Sequence, residues 1–201
     1  MIRSINDFTE YLSKLKTPDK RSVNIYAGKS EEAAARRKNL LSYLKMMESI
    51  VPDTILIGEA PGYHGCAKTG IAFTDEMALA TESIFEDDQF RNFGLDSERS
   101  AAVIWNILRT KQQMPLLWNI YPFYPFGASI ERNRTPNAKE VQMGRDILME
   151  LLYLFKVKHI YCIGKSSYNA LKDVIPDAIY VRHPSHGGIK ECTETLNNLL
   201  I

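Results

Sequence analysis

The chain has 201 residues, 45% of them hydrophobic and 24% charged, with 25 Lys and Arg against 24 Asp and Glu. That length and balance suit one globular domain, residues 1–201, and exclude wholesale disorder. The formal net charge of +1 argues against a strongly basic nucleic-acid binder, whose basic face normally shows in the total. No uncharged apolar run approaches the roughly 20 residues of a membrane span. The opening residues also lack the apolar stretch and small-residue cleavage site of a signal peptide. Cys66, Cys162 and Cys192 are odd in number and widely spaced. They form no closed disulfide set and no paired metal motif, so a reducing, cytoplasmic setting without a structural metal is expected.

In chain order, residues 4–16 and 30–49 read as N-terminal helices, the second rich in strong helix formers behind Ser30 as N-cap. The motif-bearing core, 51–201, opens with the apolar run 52–58, which ends in Gly58 and has the look of a buried parallel strand. Further short apolar runs follow at 116–119, 159–164 and 178–181. Helical stretches at 97–112, 137–154, 165–174 and 189–200 separate and follow them. Strands alternating with helices predict an α/β fold with a parallel sheet covered on both faces. Ligands of such folds bind beyond the carboxyl ends of the strands. Function is therefore expected in the loops after Ile57, Leu117 and Val181.

The first of these, Gly58-Glu-Ala-Pro-Gly-Tyr-His-Gly-Cys-Ala-Lys-Thr-Gly-Ile-Ala-Phe-Thr, combines closely spaced glycines with a carboxylate, an imidazole and an aromatic ring. Gly62 through Thr69 lies one residue from the phosphate-binding G-x4-G-K-[ST] pattern, with Ala67 in place of the second Gly. Residues 70–75 continue as loop, and the later strands end in Asn119, Gly164 and Arg182. No Asp is placed to hold magnesium, so a nucleotide-binding loop is the lesser reading. The second loop packs two prolines and four aromatics behind Asn119. A side-chain amide at a strand end offers one donor and one acceptor together. That pair complements the O4 and N3–H edge of uracil and opposes the edge of cytosine. The third loop, Arg182-His-Pro-Ser-His-Gly-Gly, brings two imidazoles and a hydroxyl. A metal site from His64, Cys66, His183 and His186, or a Cys66 nucleophile with a His base, lacks any supporting local spacing.

Gly58-Glu-Ala-Pro-Gly, Thr69-Gly-Ile-Ala-Phe-Thr, Asn119 before a proline-rich stretch, and His183-Pro-Ser together resemble the uracil-DNA glycosylase superfamily. The likeness is greatest to its bacterial and archaeal thermostable-type branches. It implies a three-layer α/β/α sandwich around a four-stranded parallel sheet. It also implies hydrolysis of the N-glycosidic bond of uracil, or a related deaminated base, in base-excision repair. The expected partner is uracil-containing DNA, with uracil as product, no cofactor, no metal, and the protein a monomer. By the same resemblance Phe73 stacks on the flipped base, Asn119 reads its pairing edge, and His183 donates to uracil O2. Glu59 handles water or the sugar cation, and backbone N–H groups from Ala60 to Gly62 also serve O2. Lys68, Ser185 and His186 are candidate phosphate contacts, with Arg132 and Arg134 weaker ones. Tyr63-His64-Gly65 is similar to a segment that screens out the methyl group of thymine.

The chain departs from the family pattern in three ways. Four iron–sulfur cysteines are not available. The carboxylate near the Phe-Thr stretch is shifted, which leaves the water role open between Glu59 and Asp75 or Glu76. After His183-Pro-Ser, the usual apolar wedge is replaced by His186-Gly-Gly, with Ile189 the remaining candidate. Single-stranded or mismatched DNA is therefore the expected substrate, since extrusion costs less there. A member of the superfamily that binds nucleobase or nucleic acid with little catalysis is the alternative.

Overall fold

The computed structural model describes residues 2–86 and 89–200. The chain opens with helix α1, Ile5–Lys14, whose N-cap Ser4 accepts from the backbone of Asp7. Its Ile5, Phe8, Thr9 and Leu12 are buried, the three- and four-residue spacing of a helix with one apolar face. A short strand β1, Ser22–Val23, follows. Helix α2, Glu31–Ile50, begins where the Ser30 hydroxyl accepts from Ala33 N–H.

Strand β2, Thr54–Gly58, is buried along its whole length, as a central parallel strand must be. The glycine-rich loop after it contains a single helical turn, α3, Cys66–Thr69. Helix α4, Glu76–Thr81, lies just beyond. Helix α5, Arg99–Leu108, leads into β3, Leu116–Asn119. Strand β4, Tyr124–Pro125, pairs antiparallel with β1. The rest alternates: α6, Ala138–Phe155; β5, His159–Ile163; α7, Lys165–Leu171; β6, Ile179–Val181; and α8, Ile189–Leu199. An Asn137–Glu140 capping box starts α6, which satisfies backbone donors that a helix start otherwise leaves unpaired.

The main sheet has four strands in the order β3-β2-β5-β6, all parallel. Helices α1, α2, α6 and α7 pack on one another, as do α4, α5 and α8, and the short α3 touches both α2 and α4. The result is the three-layer α/β/α arrangement expected from the sequence. Elements that a scan for strands and long helices passes over are the short ones: β1, β4, α3 and α4. Among the described residues, no helix is long and apolar enough to cross a membrane. Cys66, Cys162 and Cys192 are free and buried.

The topology decides where the site lies. Gly58 and Asn119 are register partners at the carboxyl edges of β2 and β3, and Ile163 and Val181 are partners near those of β5 and β6. The four strand ends therefore open onto one edge of the sheet.

Candidate active site

Three side chains converge on this edge, and the first two meet over a glycine. A Cβ placed on Gly58 would fall 2.5 Å from Asn119 Oδ1 and 2.8 Å from Phe73 Cζ. Residue 58 is glycine because the amide and the ring occupy the space a side chain would need. Asn119 is 5% exposed, and its Nδ2 lies 3.7 Å from Cys66 Sγ. The chain beyond it stays paired with the first loop: Ile120 N–H donates to Gly58 O at 2.8 Å, and Tyr121 N–H to Glu59 O at 3.1 Å. Tyr121, Phe123 and Tyr124 are buried, so the aromatics of this loop cover the sheet edge and hold Asn119 in place.

Phe73 has φ of 54°, left-handed backbone that costs a non-glycine residue roughly 1–2 kcal/mol. Its surroundings enforce that conformation. Trp105 Nε1 donates to the Phe73 carbonyl at 3.0 Å, and Thr69 Oγ1 donates to Thr74 O at 2.7 Å. Asn39 Nδ2 and Tyr26 OH donate to the carbonyls of Thr69 and Gly70, both at 2.9 Å. Strain held by this many independent contacts is a mark of functional sites.

His183 follows β6. The Ser185 backbone N–H donates to its Nδ1 at 3.1 Å, and the Ser185 hydroxyl lies 2.7 Å from the same atom. A nitrogen that accepts a backbone N–H carries no proton, so the neutral ring holds its proton on Nε2. Burial, then the nearby charges of Arg182 and His186, lower the His183 pKa from its ordinary value.

A cleft of about 360 Å³ joins these groups. Of the expected site residues, Glu59, Ala60, Gly62, Phe73, Asn119, His183, Ser185 and His186 line it, and Gly58 lies among them. Tyr63 sits at its border: its N–H donates to Asn133 Oδ1 at 3.1 Å, and its ring packs edge-on against His64. Lys68 faces the carboxylates of Asp96 and Glu76, which also deprives a nucleotide-binding loop of its cation. Ile189 opens α8 and lines a separate groove with Val103 and Ile107 of α5. Arg134 forms a two-pronged pair with Glu140, while Arg132 is exposed.

The carboxylates divide sharply by environment. Asp75 caps α4 by accepting from Ala78 N–H at 2.7 Å, and its second oxygen accepts from Glu98 N–H at 2.6 Å. Glu76 accepts from Asp96 N–H at 3.1 Å. Both are buried and clamp the 92–98 segment, and neither lines the cleft. Glu59 does, together with Glu98, which the sequence reading missed. In sequence Glu98 looks like any acidic residue just before a helix, and no local signal sets it apart. Asn133, Ser100 and Ala101 complete the lining. Burial and then the Glu98 charge push the Cys66 thiol far above the ordinary thiol range, which removes it as a nucleophile. Among the described residues, no cluster of three or more His, Cys, Asp or Glu is placed to hold a metal.

No curated protein matches the chain in sequence. The fold is similar to the crystal structure of wild-type SMUG2 from Pedobacter heparinus, with a TM-score of 0.66, 15% identity and 97% of each chain covered. The profile of the Uracil DNA glycosylase superfamily matches residues 48–196, a span that holds all three loops and the cleft. On that match over most of its length, the chain belongs to the uracil-DNA glycosylase superfamily.

Proposed function

We propose that the protein is a monofunctional uracil-DNA glycosylase, hydrolysing the bond between uracil and deoxyribose without cofactor or metal. The observation that carries this reading is the meeting of Asn119 and Phe73 over Gly58, in one cleft with a neutral His183. A base turned out of the stack enters the cleft and lies on Phe73, a contact worth about 1–3 kcal/mol. Asn119 Nδ2 donates to O4 and its Oδ1 accepts from N3–H. Cytosine presents the reverse pattern and leaves both groups of the amide unpaired, at a cost that supplies selectivity.

As the glycosidic bond breaks, negative charge builds on O2 of the departing base. The His183 Nε2 proton and the backbone N–H groups of Ala60 and Gly62, on either side of Pro61, are the donors for that oxygen. Donors fixed beforehand in a largely desolvated cleft act chiefly on the transition state. Glu59 is the carboxylate for the attacking water and the positive sugar; Asp75 and Glu76 are occupied in holding backbone. The substrate preference follows from Ile189 lying in a groove beside α5, apart from the cleft, and from a rim of His186, Gly187 and Gly188. No apolar side chain of that loop is left to fill a duplex, so single-stranded or mismatched uracil is favoured. The protein acts as a monomer.

The test is incubation with single-stranded DNA bearing one uracil, followed by alkali. Strand scission at the uracil, at least a hundredfold faster than with Asn119→Ala, is expected. Intact strands despite tight binding would instead make the protein a base-binding member of the superfamily.

A further inference from the structure

Asn119 tells uracil from cytosine only while its amide keeps one orientation. Turned over, the same amide would accept from N4 of cytosine and donate to N3. The two ends of an amide have almost the same shape, so packing alone does not choose between them; their hydrogen-bond partners do.

A relay of hydrogen bonds leads from the amide into the buried interior. Asn119 Nδ2 donates to Cys66 Sγ at 3.7 Å. The Cys66 thiol is in hydrogen-bond contact with the Tyr26 hydroxyl. Tyr26 in turn donates its phenolic proton to Gly70 O at 2.9 Å. Asn119, Cys66 and Tyr26 are all buried, so water does not supply substitute partners.

The direction of the relay follows from its protons. With the phenolic proton on Gly70 O, the Tyr26 oxygen faces the sulfur as an acceptor and draws the S–H towards itself. The sulfur then turns only lone pairs to Asn119. It accepts from Nδ2 and opposes Oδ1, which has no donor there. Burial keeps the thiol protonated, its pKa far above the ordinary value, so the proton that the relay needs is in place. Tyr26 lies outside residues 48–196, the span matched by the superfamily profile; this anchor comes from the N-terminal part of the chain.

We propose that Cys66 and Tyr26 are positioning residues that hold the Asn119 amide in its uracil-reading orientation and thereby exclude cytosine. This role rests on Asn119 reading the base as proposed above.

The experiment compares wild type, Cys66→Ala, Cys66→Ser and Tyr26→Phe on single strands carrying one uracil or one cytosine, with melting temperatures as the folding control. In the free proteins, exchange of the Asn119 Nδ2 protons with solvent is followed by NMR. Wild type is expected to release uracil in strong preference to cytosine. Cys66→Ala and Tyr26→Phe should each shrink that preference about fivefold or more. Both should also speed Nδ2 exchange, the first by removing the acceptor and the second by freeing the S–H to turn towards the amide. Cys66→Ser keeps a group that donates to Tyr26 and accepts from Nδ2, and should retain most of the preference. An equal fall for both bases, as from a merely structural role, or an unchanged ratio in Cys66→Ala or Tyr26→Phe, overturns the proposal. If wild type releases no base from DNA, the glycosylase reading fails and the amide decides alone. Faster Nδ2 exchange in both Cys66→Ala and Tyr26→Phe then supports the relay; exchange unchanged in either overturns it.

Discussion

The backbone N–H of Ser185 donates to Nδ1 of His183 at 3.1 Å, which assigns the ring proton of His183 to Nε2. The neutral ring is the form that donates to O2, and its pKa lies below the ordinary value of 6.5. The rate of base release should therefore stay flat from pH 8 down through 6.5. It should fall only at lower pH, as the ring takes its second proton and the serine contact is broken. Single-turnover rates across pH check this; a fall that is already complete at pH 7 contradicts it.

Gly58→Ala places a methyl 2.5 Å from Asn119 Oδ1 and 2.8 Å from Phe73 Cζ. Both side chains have to shift, and overpacking of this kind costs about 1–3 kcal/mol. The expected outcome is uracil release reduced at least a hundredfold, with a modest fall in melting temperature. Full activity would show that the amide and the ring need not share this space.

Asn119→Ala removes two hydrogen bonds from a nearly buried site. At about 2 kcal/mol each, the rate on uracil should fall roughly a thousandfold. Phe73→Ala removes stacking worth about 1–3 kcal/mol, equivalent to roughly 5- to 150-fold. Kinetics of the two single variants on one uracil substrate give the order, and a larger effect at Phe73 would reverse the roles assigned.

Glu59 and Asp75 should separate activity from stability. Glu59 lines the cleft, and Glu59→Gln should slow uracil release while leaving the melting temperature unchanged. Asp75 caps α4 and holds Glu98, so Asp75→Ala should cost stability, about 1 kcal/mol for the cap alone. Unchanged stability in Asp75→Ala would remove the clamp, and normal activity in Glu59→Gln would remove Glu59 from the water.

The net charge of +1 gives no general attraction to phosphates, and Lys68 is engaged with Asp96 and Glu76. Grip on undamaged DNA should be weak and should decline with salt, at slightly less than one power of salt concentration per phosphate contact. Titration at several salt concentrations measures that slope. A value corresponding to six or more contacts would point to a basic face that these residues do not form.

Much of this was legible locally. The runs 116–119 and 159–163 coincide with β3 and β5, because a strand buried on both faces is apolar along its length. Phe73, Asn119 and His183 fall where chain order alone puts them, at a strand's last residue or in the loop that follows a strand. The direction of a side chain and the identity of its distant partner are not encoded that way. Lys68 looked like a phosphate contact until the 92–98 segment brought Asp96 against it, 28 residues along the chain. Asp75 and Glu76 looked like catalytic carboxylates until the same segment took up their oxygens. Ile189 was the one apolar candidate for a wedge, and its place at the start of α8 sets it in a groove beside α5, apart from the cleft. Glu98 showed nothing in sequence, yet it fills the space left by two glycines more than thirty residues earlier. Local pattern determined the sheet, the order of the loops and the chemistry available at each. Only tertiary packing decided which of those groups face the cleft, because burial favours pairing of charged groups and engages Lys68, Asp75 and Glu76 elsewhere.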